Sequence, residues 1–205
     1  MTPRIKFCGF TCAADVHAAL ALGVDAVGLN LASGPRRISL ERASELARLL
    51  PPFTTAVGLF VNAGEQEILD AVRGVRLQAV QLHGDEAPEL AASLRRRLPV
   101  IKAFRIATAA DLARVPGYPA DAYLLDAAIP GQPGGTGMSW DWSLLAGADL
   151  GAPMLLAGGL RSDTVAAAIA ATRPWAVDVA SSIESFPGRK DAARMAAFVA
   201  AVRGG

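Results

Sequence analysis

Met154-Leu155-Leu156-Ala157-Gly158-Gly159-Leu160 is a short unbroken apolar run that ends in two glycines. A run this short, bounded by turn residues, reads as a β-strand. Its continuity, with no polar alternation, predicts a strand covered on both faces, as in a parallel sheet flanked by helices. The paired glycines have two readings. They form a tight turn, or they let backbone N–H groups approach an oxyanion closely.

Working outward, the same kind of run recurs at Arg4–Cys8, Ala26–Leu31, Thr55–Val61, Ala79–Leu82, Val100–Phe104, Ala122–Leu125 and Ala176–Val179. The spacing is roughly that of the βα units of a minimal barrel. Helical patterns lie between the runs. Ala43, Leu46, Ala47 and Leu50 share one helical face, as do Met195, Phe198, Val199 and Val202. Ser39, Asp85, Thr108 and Ser162 stand as N-caps, and Gly23 as a helix end needing positive φ. Eight such units fill the 205 residues with no linker. The expected fold is α/β: a single (β/α)8 TIM barrel over residues 1–205, with parallel strands and its active site at the C-terminal face. An open doubly wound sheet would also alternate β and α. Closure is favoured because no segment is left over as an edge.

Apolar residues make up 52% of the chain, enough for a large core. A net charge of +1 gives no bulk attraction for nucleic acid or an acidic membrane. No run is long enough to span a bilayer, and Met1-Thr2-Pro3-Arg4 leads straight into a strand. Cys8 and Cys12 are the only cysteines, so no disulfide scaffold is expected, and a cytoplasmic location follows. No Cys/His cluster has metal-ligand spacing, so no metal is expected.

Barrel catalysts sit where strands end. Those positions hold Cys8, Asn30, Arg36, Asn62, His83, Arg105, Asp126, Gly158, Gly159, Ser181 and Ser182. Cys8 is a buried apolar cysteine or a base. Asp126 is a turn cap or a functional acid. Asp178, a carboxylate among valines, needs a partner such as Lys6 or a task. His83 is a hydrogen-bonded residue of the mouth or a catalyst. Arg36 and Arg37 are solvated or meet a carboxylate, for which Arg has the right fork. Gly158-Gly159 and Ser181-Ser182 occupy the seventh and eighth loops, where barrels commonly bind phosphate. The Gly- and Pro-rich stretch 127–140, with Gly134–Gly137, reads as a functional loop after the sixth strand, anchored by Trp140 and Trp142.

Assembled in order, these segments resemble the phosphoribosylanthranilate isomerases of tryptophan biosynthesis, over essentially the whole chain. The pieces are Lys6-Phe7-Cys8-Gly9-Phe10-Thr11, Pro35-Arg36-Arg37-Ile38-Ser39, Gln81-Leu82-His83-Gly84, Leu125-Asp126 with Gly134–Gly137, and Ala157-Gly158-Gly159-Leu160. Asp178-Val179-Ala180-Ser181-Ser182-Ile183-Glu184 and Pro187-Gly188-Arg189-Lys190-Asp191 complete the series. The resemblance implies an Amadori rearrangement of N-(5-phosphoribosyl)anthranilate to 1-(2-carboxyphenylamino)-1-deoxyribulose 5-phosphate. Cys8 would be general base and Asp126 general acid. Arg36 would contact the anthranilate carboxylate, with His83, Asp178, Gly158, Gly159, Ser181 and Ser182 also binding substrate. No cofactor is implied, and the chain would be a monomer or homodimer acting on a small phosphoribosyl molecule. Asn30 and Ser182 stand where the family usually has an apolar residue and a glycine. The sister isomerase of histidine biosynthesis typically carries aspartate at the first strand, so Cys8 speaks against it. A barrel that binds a phosphorylated metabolite without turning it over would have no use for both Cys8 and Asp126.

Overall fold

We describe the protein from a computed structural model, over residues 2–127, 142–145 and 147–204. In chain order the elements are β1 (Arg4–Cys8), α1 (Ala13–Ala21), β2 (Ala26–Asn30), α2 (Leu40–Ala47), β3 (Thr55–Phe60), α3 (Glu65–Val75), β4 (Ala79–Leu82), α4 (Pro88–Arg95), β5 (Val100–Ile106), α5 (Ala109–Leu112) and β6 (Ala122–Ala127). They continue with β7 (Met154–Ala157), α6 (Val165–Thr172), β8 (Ala176–Val179), a small hairpin of β9 (Glu184–Phe186) and β10 (Arg189–Lys190), and α7 (Ala192–Arg203). The first eight strands form a closed barrel in sequence order, every neighbour parallel, with β8 returning to β1.

Apolar side chains fall into two layers because strand residues alternate between faces. Outward-facing Ile5, Phe7, Val27, Leu29, Val80, Leu82, Leu125, Leu156 and Val177 pack against helix faces that include Leu46, Met195 and Phe198. A smaller cluster of Ala103, Ala122, Leu124, Leu155, Ala157 and Ala176 fills the barrel interior. The same alternation carries Lys6 and Cys8 inward on β1, Gln81 on β4, Asp126 on β6 and Asp178 on β8.

Ser39 and Thr108 cap their helices as expected, Thr108 within a capping box, and Gly23 takes φ 68° after α1. Two expected caps are corrected. Asp85 does not open α4: Ala87 does, because Pro88 fits the first helical position, and the N–H of Asp85 donates instead to Asn62. Ser162 does not open α6: the turn runs on to Thr164, whose hydroxyl accepts from Arg161. Gly134–Gly137 and Trp140 lie outside the described residues. Trp142 is partly buried against the core. No helix among the described residues is long and apolar enough to cross a membrane.

Candidate active site

Cys8 ends β1 and is buried, in register with Gly28 on β2. A Cβ on Gly28 would lie 2.5 Å from the Cys8 sulfur, so the absent side chain is what makes room for the thiol. Below it, Lys6 Nζ donates to Asp178 Oδ1 at 2.6 Å, which gives the carboxylate among valines its partner. Burial opposes the Lys6 charge, but Asp178 and then Cys8 outweigh it and hold the lysine above its ordinary pKa. Beside it, buried Lys190 directs its ammonium at Cys8 O (2.6 Å), Ala180 O (3.1 Å) and Glu184 Oε1 (2.8 Å). Its three N–H groups therefore fasten the ends of β1 and β8 to the hairpin. Burial pushes the Cys8 thiol above its ordinary pKa despite the pull of Lys6 and Lys190, because Asp178 pushes with burial. This environment does not favour partial ionisation of Cys8 near neutral pH. Lys6 is committed to a carboxylate that cancels it.

Arg36, and not Arg37, is turned into the site. Its Nε and Nη2 grip Glu184 at 2.9 and 2.7 Å, while Arg37 is exposed. The loop that carries Arg36 is folded by Asn30. The Asn30 amide donates to Ser33 O and accepts from Ala32 N, both at 3.0 Å, and the Asn30 carbonyl accepts from Ile38 N at 3.0 Å. The departure at Asn30 is thus a loop-forming device. Lys190, Glu184 and Gly28 were not among the candidates. The visible signals were a glycine in a strand and two charges inside the family-like motifs.

Across the mouth, Asp126 lies level with Arg105 of β5 and Ala157 of β7. Both β5 and β6 extend past their apolar runs to make this register. The Asp126 side chain is 34% exposed, and its Oδ2 stands 3.6 Å from His83 Nε2. That is beyond a hydrogen bond. Gln81 Nε2 meets His83 Nδ1 at 2.7 Å. With the Gln81 amide donating, His83 carries its proton on Nε2, facing Asp126. Gln81 Oε1 is buried without a partner. The turn after His83 is held from outside the barrel by Lys102, which donates to Gly84 O at 2.6 Å and Glu86 Oε2 at 2.9 Å. Glu86 in turn accepts from Gly84 N and Asn62 N. Lys102, a charge inside the apolar run of β5, was legible by the same rule that marked Asp178.

The last two loops meet beside β7 and β8. Gly158 and Gly159 take φ values of 84° and 66°, and a Cβ on Gly159 would meet nothing within 4 Å. Its N–H donates to no described residue. Ser181–Ile183 form a single 3-10 turn whose leading N–H groups are free by geometry. Ser182 does not take positive φ, so its position does not require glycine, and its hydroxyl clips this turn to Leu160 O at 2.5 Å. Among the described residues no group of His, Cys, Asp and Glu is arranged to hold a metal.

The family model described as N-(5'-phosphoribosyl)anthranilate (PRA) isomerase matches residues 5–201. An N-(5'-phosphoribosyl)anthranilate isomerase of Pseudomonas paraeruginosa is 49% identical over 203 residues, covering 98% of this chain and 95% of the relative. The crystal structure of phosphoribosyl anthranilate isomerase from Thermotoga maritima superposes with TM-score 0.94 at 39% identity, over 98% and 99% of the two chains. A further crystal structure of this isomerase, in complex with reduced 1-(o-carboxyphenylamino)-1-deoxyribulose 5-phosphate, has TM-score 0.88 at 37% identity, covering 98% of this chain and 99% of that one.

Proposed function

Because the chain belongs to the phosphoribosylanthranilate isomerase family and is an isomerase of tryptophan biosynthesis, we propose that Cys8 and Asp126 are its general base and general acid. The substrate on this reading is N-(5-phosphoribosyl)anthranilate. The observation that carries the assignment is the position of the two groups, one thiol and one carboxylate, at the C-terminal ends of β1 and β6 on one barrel mouth.

The chemistry follows from that placement. Asp126 gives its proton to the furanose ring oxygen as the bond from that oxygen to C1 breaks. The lone pair of the anthranilate nitrogen forms the C=N bond of a Schiff base. Cys8, as thiolate, then takes the proton from C2, and the electron pair left behind gives an enolamine. Proton return to C1 with loss of the C2 hydroxyl proton yields the ketone. Nothing is oxidised or reduced overall, and each proton step supplies about 10²–10⁴-fold. His83, with its N–H toward Asp126, steadies the carboxylate left after proton transfer. Gly158, Gly159, Ser181 and Ser182 receive the phosphate on free backbone N–H groups. Arg36 receives the aryl carboxylate. Asp178 acts through Lys6, beneath the base.

The test is fluorimetric. Substrate made in situ from anthranilate and a phosphoribosyl donor loses its anthranilate emission on rearrangement. The protein should abolish that emission within minutes, and Cys8→Ser should not. Decay no faster than in buffer would sink the assignment.

A further inference from the structure

Glu184 is 4% exposed, yet it lies between two cations that serve different parts of the site. Arg36 donates to it through Nε (2.9 and 3.2 Å) and Nη2 (2.7 Å), Lys190 through Nζ (2.8 Å), and Gly188 through its backbone N–H (3.2 Å). A guanidinium has five N–H groups in a planar fork. Glu184 takes the edge formed by Nε and one hydrogen of Nη2. What remains is the opposite edge, Nη1 with the second Nη2 hydrogen, which has the geometry of a two-pronged carboxylate grip. The stem of Arg36 is fixed as well. It runs over Gly9, where a Cβ would collide with it, so the chain leaving Cys8 passes directly beneath. The charges make the same point. Arg36 and Lys190 against Glu184 leave one net positive charge, which a single incoming carboxylate neutralises. Burial alone would keep Glu184 protonated, but hydrogen bonds from Arg36 and Lys190 outweigh it and hold the acid below its ordinary pKa.

We propose that Glu184 is a positioning residue that grips one edge of Arg36 so that the other edge selects substrates bearing an aryl carboxylate. The proposal rests on the reading of Arg36 as the carboxylate contact. It makes Glu184 a determinant of selectivity between anthranilate and unsubstituted aniline, although Glu184 itself touches neither.

The experiment compares two ligands by calorimetry. One is reduced 1-(o-carboxyphenylamino)-1-deoxyribulose 5-phosphate, and the other is its phenylamino counterpart without the carboxylate. The unmodified protein should prefer the first by about 10–100-fold, the worth of a charge-assisted contact. In Glu184→Gln the amide meets a cation with its own N–H groups, Arg36 swings free, and the preference should fall to within a few-fold. Affinity for the carboxylate-free ligand should stay within about threefold, because the Glu184 side chain bonds Arg36, Lys190 and Gly188 and not the turn at Ser181–Ile183. Equal weakening of both ligands would show a merely structural role and overturn the proposal. Glu184→Asp guards against loss of folding. It keeps the charge but is one methylene short, so the preference should fall part of the way, and an unchanged ratio would overturn the proposal. Arg36→Met separates the two ideas. If it keeps the preference, the Arg36 reading itself is wrong. If it loses the preference while Glu184→Gln keeps it, only the role of Glu184 is wrong.

Discussion

Around Cys8 the barrel mouth is packed with paired charge. Lys6 with Asp178, and Lys190 with Glu184 and Arg36, are held at hydrogen-bonding distance. Around Asp126 the mouth, among the described residues, is sparser. One third of the carboxylate is open, His83 stands at 3.6 Å, and Gln81 keeps an unmatched oxygen. The contrast fits the roles proposed for the two groups. A thiol is a poor base until its charge is provided for, and buried charges are tolerable only when paired and fixed. A general acid needs reach to a substrate oxygen more than a rigid cage.

The comparison breaks most visibly when the two groups are removed in turn. Cys8→Ser should lower kcat by about 10²–10⁴-fold with substrate still bound, and Asp126→Asn by a similar factor, because an amide does not release a proton. The double variant should be scarcely worse than the poorer single one, since the groups serve successive steps of one reaction. Single-turnover rates for all three decide it. A loss of only a few-fold for Asp126→Asn would move the acid elsewhere.

A sharper test is the pH profile. Burial holds the thiol above its ordinary pKa, so kcat/KM should climb as pH rises and thiolate becomes available. Lys190 pulls the thiol down against burial. Lys190→Met should therefore move the midpoint of that rise to higher pH, by about 1 unit, which costs about tenfold at neutral pH. A midpoint that stays put would show that Lys190 only fastens strand ends. The smallest effect belongs to the open side. His83→Gln should cost only a few-fold in kcat, because the contact to Asp126 is longer than a hydrogen bond. A thousand-fold loss would make His83 a catalyst in its own right and erase the contrast.

The same contrast governs how much was legible from residues alone. The bounds of β1, β4, β7 and β8 follow their apolar runs, because a buried parallel strand is written as a continuous one. The runs that stand for β5 and β6 stop short, since Arg105 and Asp126 are polar while the ladder still pairs them. Lys6 and Asp178 announced each other as charges in apolar strands. The roles of Lys190 and Glu184 did not show, because neither sits in a strand of the barrel and their partners arrive only when the sheet closes. Gly28 showed only as a glycine in a strand, with its purpose hidden for a related reason: the thiol it accommodates comes from the neighbouring strand. The caps at Asp85 and Ser162 failed because a proline at Pro88 and a turn ending at Thr164 displaced the helix starts.

The contacts around Cys8 join residues from opposite ends of the chain: the ion pair of Lys6 with Asp178 spans 172 residues, and the hydrogen bond from Lys190 to the Cys8 carbonyl spans 182. Asp126 and His83 meet across a much shorter interval. On a growing chain, which emerges N-terminal end first at about 5–20 residues per second, the halves of the active site therefore mature at different times. Asp126 and His83 have both been made once β6 has emerged. The thiol, though it leaves the ribosome among the first residues, waits for nearly the last to acquire its surroundings. A chain cut before Glu184 would keep Asp126 and His83, while its cysteine had neither Lys190 nor a held Arg36 beside it. On the assignment proposed for Cys8, its surroundings are thus complete only once the C-terminal hairpin is in place.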